Sequence, residues 1–161
     1  AIEQGLAAEF TRVRPEGETW AIRIFEADAN AWLALRLPLW LKHDRELPWP
    51  QGIEVVQIHF ERPDRVVVAA DHGGRIWSVV FRPRIEAGVL ALDTVGGGVG
   101  RLWIPWAATT GEGTSSLAKF VPELARPVEA ILPLPDDRRV RLLDFEVDRG
   151  EIRLQFETLW R

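Results

Sequence analysis

Between Gly52 and Val95 the chain reads as four β-rich runs, Ile53–Phe60, Arg65–Ala70, Arg75–Arg82 and Gly88–Val95. The breaks between them, Arg62-Pro63-Asp64, His72-Gly73-Gly74 and Glu86-Ala87-Gly88, are made of residues that close tight turns. A parallel return needs a crossover of about a dozen residues or more, so breaks this short force each strand back beside the previous one. The segment therefore predicts an antiparallel meander. A second hairpin is written at the C-terminus, Val140–Val147 and Glu151–Trp160 around Asp148-Arg149-Gly150. In its last strand Ile152, Leu154, Phe156 and Trp160 oppose Glu151, Arg153, Gln155 and Glu157, which predicts one wet face.

The remaining segments are shorter. Thr19–Glu26 alternates Trp20, Ile22 and Ile24 with Ala21, Arg23 and Phe25 and predicts a strand. Asp28–Leu37 predicts a helix with Asp28 as its cap and Pro38 as its breaker, irregular or broken over Leu39–His43. Ala31, Trp32, Leu33, Ala34, Leu35 and Leu37 cover nearly its whole circumference, which predicts burial on several sides. In Thr114–Leu132, Leu117, Phe120, Val121, Leu124, Val128 and Ile131 fall at helical spacing, while Pro122 and Pro127 forbid one continuous helix. One or two short helices are expected there. The simplest assembly is a single α+β domain over residues 1–161. It has a strongly curved antiparallel sheet of about seven or eight strands wrapped around the apolar N-terminal helix, and a second short helical segment before the C-terminal hairpin.

Composition narrows the chemistry. With 161 residues, 47% of them hydrophobic, the chain is long enough to build a core without metal or disulfide. The absence of cysteine removes disulfides, cysteine-ligated zinc, iron–sulfur clusters and thiol catalysis. Net charge is −4 and the arginines are scattered among acids, which argues against a nucleic-acid partner, since phosphate binding wants a one-signed basic face. The one local basic cluster, Arg138, Arg139 and Arg141, follows Asp136-Asp137 and is expected to be a solvated turn and strand edge. No apolar run reaches the length of a membrane span; the longest, Ala31–Leu41, is interrupted by Arg36.

Motifs for catalysis are weak. Gly96-Gly97-Gly98-Val99-Gly100 lacks the Lys-Ser/Thr of a phosphate loop and is expected to be a flexible turn or bulge. His43, His59 and His72 show no paired metal spacing; His72 is expected at the surface and His59 in a sheet. Ser78, Ser115 and Ser116 lie in no Gly-x-Ser-x-Gly elbow, and the pair Asp144 and Glu146 suits a solvated strand as well as a carboxylate dyad. No enzymatic activity, metal or cofactor is expected.

The eight tryptophans are the most informative set. Trp32, Leu35, Leu37 and Trp40 lie on the helical segment, and Trp103 and Trp106 near strand ends; together they define an apolar groove or rim for a lipid or other greasy ligand. Large aromatics filling a core are the plainer account.

Three stretches resemble a known family. Glu26-Ala-Asp-Ala-Asn30-Ala-Trp-Leu resembles the Glu-x-x-Leu-Asn-x-x-Leu helix start of small bacterial extracytoplasmic domains of the YpmS-like and LmeA-like kind, with Ala29 in place of the leucine. Val99-Gly100-Arg-Leu-Trp-Ile-Pro105 resembles their Gly-x-Leu-x-Ile-Pro segment, and Arg139–Leu154 looks like their terminal hairpin. The resemblance implies a domain of the periplasm or cell envelope that follows an N-terminal anchor or signal not present in this chain, brings no catalytic residues, and binds lipid in some members. The missing initiator Met is in keeping with a trimmed or longer parent chain. The expectation is a non-enzymatic extracytoplasmic domain that holds a lipid or other apolar small molecule between curved sheet and helix. The alternative is a scaffolding module of an envelope complex, with an edge strand or rim recruiting a protein.

Overall fold

In the computed structural model, which describes residues 2–43, 52–105 and 126–160, the elements run α1 (Ile2–Thr11), β1 (Thr19–Phe25), α2 (Glu26–Leu35), α3 (Leu37–His43), β2 (Ile53–Glu61), β3 (Arg65–His72), β4 (Arg75–Glu86), β5 (Val89–Val99), β6 (Leu102–Pro105), β7 (Val128–Glu129), β8 (Ile131–Pro133), β9 (Arg139–Asp148) and β10 (Glu151–Leu159). The predicted meander forms as β2 to β5, its turns using left-handed residues at Asp64, Gly73, Gly74, Ala87 and Gly88. The predicted hairpin forms as β9 and β10 around Gly150.

The strands do not join into one sheet. β1, β10, β9 and β8 make a four-stranded antiparallel sheet, and β2 to β6, with β7 beside β5, make a six-stranded one. This corrects the expected single curved sheet of seven or eight strands: neither sheet is strongly curved or closed, and among the described residues there are ten strands in two sheets. The physical reason is at Ala130. Val128 and Glu129 pair with β5, Ile131–Pro133 pairs with β9, and between them Ala130 donates its N–H to Gly88 and accepts one from Leu142. The chain crosses from sheet to sheet there, so hydrogen bonding does not continue through one ladder. Val128 and Ile131, placed at helical spacing by the sequence, are both strand residues; residues 114–125 of that expected helical segment lie outside the described residues.

The main core lies on the inner face of the four-stranded sheet. Ile22, Ala130, Val140, Leu142 and Phe156 are buried, and Leu6 and Phe10 of α1 and Ile85 and Leu90 of the β4–β5 hairpin close over them. Phe10 meets Trp20 and Phe156 edge-on at 5.4 Å, and Trp20 stacks on Phe156 at 4.9 Å. Each such ring pair adds about 0.5–1.5 kcal/mol beyond the area it buries. Periodicity gives α1 only a weak signal, because Ile2, Leu6 and Phe10 mark a narrow stripe.

Two arginines finish α1. Arg138, only 3% exposed, sends its guanidinium to the carbonyls of Phe10, Thr11 and Arg12 while Asp136 neutralises it. Arg14, 4% exposed, binds the Glu9 carbonyl and carboxylate and lies 4.0 Å over the Trp20 ring. Helix ends leave carbonyls without partners, and cations there are favoured twice, as donors and as charges facing the dipole. Arg138 thus departs from the solvated turn expected for its cluster, whereas Arg139 and Arg141 are exposed.

The glycine run is also corrected. Gly96, Gly97 and Gly98 are interior residues of β5, flanked by β4 and β6, and only Gly100 turns the chain. A Cβ on Gly98 would stand 2.7 Å from the Leu102 carbonyl oxygen, and one on Gly97 2.9 Å from that of Ser78. Glycine is there because neighbouring backbones approach closely. The bulge expected in this stretch falls at Val95, between the register pairs Phe81–Thr94 and Val80–Gly96.

Candidate functional site

The site begins where the two sheets meet. β2 is an edge of the six-stranded sheet, and the N-terminal half of α2 lies along that edge. Asn30 accepts the Ile58 N–H at 2.7 Å and donates to the Ile58 carbonyl at 2.9 Å, so its amide completes the ladder as another strand would. One helical turn earlier, Glu26 accepts the Phe60 N–H through Oε2 at 2.9 Å and meets His59 Nδ1 through Oε1 at 3.0 Å. Burial works to raise the Glu26 pKa, but the Phe60 N–H and the His59 imidazole outweigh it and hold the carboxyl below its ordinary value. The Glu26 N–H in turn binds the Gly150 carbonyl, and Arg62 pairs with Asp148, fastening the β9–β10 turn to the end of β2. Arg62 and the Arg149 N–H bring the Asp148 pKa down to about 2.

Glu26 and Asn30, the residues that carry the family resemblance, therefore seal a sheet edge. The helix is not wrapped by a sheet: none of the residues of α2 is fully buried, and Leu35 is 71% exposed. The all-round apolar pattern misleads because Ala31 and Ala34 supply part of it, and an exposed alanine costs little while favouring helix. The helix also begins at Glu26, so the expected cap, Asp28, sits inside its first turn. The break falls at Arg36, ahead of Leu39–His43.

The residues proposed from sequence for a groove are not gathered at one place. Trp32 is half-buried on α2 and donates its indole N–H to Glu3 at 3.0 Å; Leu35 closes α2 and Leu37 opens α3. Trp103 is 52% exposed on β6, the opposite edge of the sheet, four strand spacings from β2 and hence about 19 Å away. The Trp40 side chain and Trp106 lie outside the described residues. His59 is in a strand as expected, while His72 is half-buried, its ring against Gly52 and its Nδ1 without a hydrogen-bond partner. Asp144 and Glu146 are exposed on β9 and line a depression of about 90 Å³ with Arg153 and Gln155. Among the described residues no three metal-ligating side chains are grouped, and no helix is long and apolar enough to cross a membrane.

A larger cleft, of about 480 Å³, follows β1. One wall is five consecutive residues of the strand, Ala21 to Phe25; the other is the Ile2, Gly5, Leu6 and Glu9 face of α1, with Asp28 contributing from α2. Thr158 donates its N–H to Glu18 and Glu26 donates to Gly150, which fixes the phase of the strand. The backbone groups of Trp20, Ile22 and Ile24 consequently face β10, and those of Ala21, Arg23 and Phe25 face away from it. Among the described residues these outward groups have no strand partner, and of them only the Phe25 carbonyl is occupied, because Phe25 is the N-cap of α2 and its carbonyl takes the first hydrogen bond of that helix.

The other edges differ from this one. β2 is sealed over Ile58 to Phe60 by Glu26 and Asn30; β8 has three residues and ends in Pro133; β6 has four and ends in Pro105. Short strands and proline are the usual guards of a sheet edge. β1 is seven residues long, regular in register and free of proline. Nothing in its sequence separates it from an interior strand, so only the pairing order identifies it. Comparison with family models, curated proteins and solved structures returns no match for this chain.

Proposed function

We propose that this chain is a non-enzymatic interaction module of the bacterial cell envelope that recruits a partner protein by adding an extended segment of that partner to the open edge of β1. The observation that carries this is the edge itself: among the described residues a seven-residue strand, regular in register and free of proline, is left bare beside a cleft. Strand addition draws affinity from main-chain hydrogen bonds and specificity from the pockets for alternate side chains. Here the outward N–H and C=O groups of Ala21 and Arg23 and the Phe25 N–H supply the first, and the α1 wall supplies the second. The envelope location rests on the resemblance, and a reporter fused to the full gene product tests it.

The test of recruitment is site-specific photo-crosslinking in cells. A photoreactive residue at Phe25 is expected to trap one partner, and the same residue at Leu143, on the solvent face of β9, is expected to trap none. Ala21→Pro deletes an outward N–H without touching the β10 ladder and should abolish the Phe25 product. Equal trapping at both positions would speak against the proposal.

A lipid or other apolar small molecule is the second candidate occupant, favoured by Ile2, Leu6, Ile22 and Ile24 lining the cleft. Native mass spectrometry of protein purified from its own host separates the two: a bound mass extractable into organic solvent supports the lipid, and a bare chain counts against it.

A further inference from the structure

On the solvent face of the four-stranded sheet the register lines up Glu146, Arg153 and Arg23 in one row. The row runs carboxylate, guanidinium, guanidinium, and ends there because β1 is the last strand. Directly opposed like charges destabilise a sheet, and opposite ones contribute roughly 0.2–1 kcal/mol. Arg23 is exposed and has no carboxylate partner among the described residues. The second row along the same face, beyond Ala21, Gln155 and Asp144, is balanced within the sheet, Arg141 pairing with Glu157 at 3.6 Å.

We infer that the segment recruited to β1 belongs to a different protein and alternates apolar with polar residues, with a carboxylate opposite Arg23. This rests on the strand addition proposed above. A strand seated on Ala21, Arg23 and Phe25 sends every second side chain to the α1 side, over Ile22 and Ile24 and against Ile2 and Leu6. Those side chains are apolar. The others lie on the solvent face beside Ala21 and Arg23, where an acid completes the row with its missing end charge. Asp28 lines the same cleft and disfavours a second acid toward the Phe25 end. A second copy of this chain does not meet the requirement. Its β1, Thr19–Phe25, contains no carboxylate, so pairing two such edges leaves both rows unneutralised.

The experiment titrates the full chain with two capped, fluorescein-labelled peptides, Val-Thr-Val-Glu-Val-Thr-Val and its counterpart with Lys at the centre. The Glu peptide is expected to bind about three- to tenfold more tightly at low salt, with the margin shrinking as salt rises. Arg23→Glu changes an exposed side chain, so its thermal transition should be retained, and it should reverse the order. Ala21→Pro should abolish binding of both peptides. Equal affinity for the two overturns the acid preference and leaves strand addition standing. Binding of neither, or binding that survives Ala21→Pro, overturns strand addition and the acid preference together. Self-association that Ala21→Pro removes makes a second copy the occupant and overturns the inference.

Discussion

Asn30 and Glu26 act at the smallest scale, where one amide and one carboxylate replace a missing strand. Asn30→Ala strands the N–H and carbonyl of Ile58 at a half-buried edge. It is expected to cost about 1–3 kcal/mol, read as a lower urea midpoint at unchanged slope. The Glu26 carboxyl titrates below its ordinary 4.5 when folded. The stability it contributes is therefore fully present above about pH 4.5 and is lost as pH falls through the depressed value. Asp148 behaves alike, its share disappearing between its ordinary 3.8 and about 2. Unfolding midpoints should stay flat with respect to these two groups down to about pH 4.5 and then fall, and Glu26→Gln should make that fall shallower. A decline of equal steepness in the variant would remove Glu26 from the account. The Glu26–Asn30 spacing was visible in the sequence, but its task was not, because the acceptor and donor belong to a strand 28 residues away.

Elements are held at their ends by residues from elsewhere. The C-terminus of α1 has no basic residue of its own in its last turn and depends on Arg138, which comes from the loop before β9. Arg138→Met should cost about 2–4 kcal/mol, since three carbonyls lose their donor and Asp136 its partner. Hydrogen exchange should show α1 opening before the sheets. The β5 glycines are held to their identity by close backbone approach: Gly98→Ala is expected to lower stability by about 1–3 kcal/mol, measured by thermal unfolding, because the Leu102 carbonyl is backbone and yields little. On β1, Arg23→Glu removes a like-charge pair with Arg153 and should raise stability by a few tenths of a kcal/mol. The strands β1 to β5, β9 and β10 were legible, since alternation and turn chemistry are local, whereas β7 and β8 fell in a segment read as helical. The helix from Glu26 was legible as a helix and misread in its burial, because alanine counts as apolar without demanding a core.

At the scale of the whole molecule, two sheets share one core through Ala130 and through the contact of the β9–β10 turn with β2. Ile85 and Leu90 of the six-stranded sheet lie against the buried cluster of the four-stranded one, so loosening either exposes the other. Unfolding is expected to be cooperative across both. Trp20 lies in one sheet and Trp77 in the other, so variants keeping a single one of these two fluorophores should give coincident urea transitions. Separate midpoints would divide the molecule into independent units. The bare edge of β1 exists only at this scale as well, because an edge is a property of pairing order.

The sequence by itself determined an antiparallel meander, a C-terminal hairpin with one wet face, and a strand from Thr19, read to Glu26 and ending one residue sooner, all of which follow from side-chain period and from turns a few residues long. Tertiary structure alone decided that the strands divide into two sheets, that α2 seals an edge instead of filling a sheet, and that Trp103 lies across the sheet from Trp32. It also decided that the cleft follows β1. Those outcomes depend on which distant backbone groups satisfy one another, and local patterning holds no record of that choice.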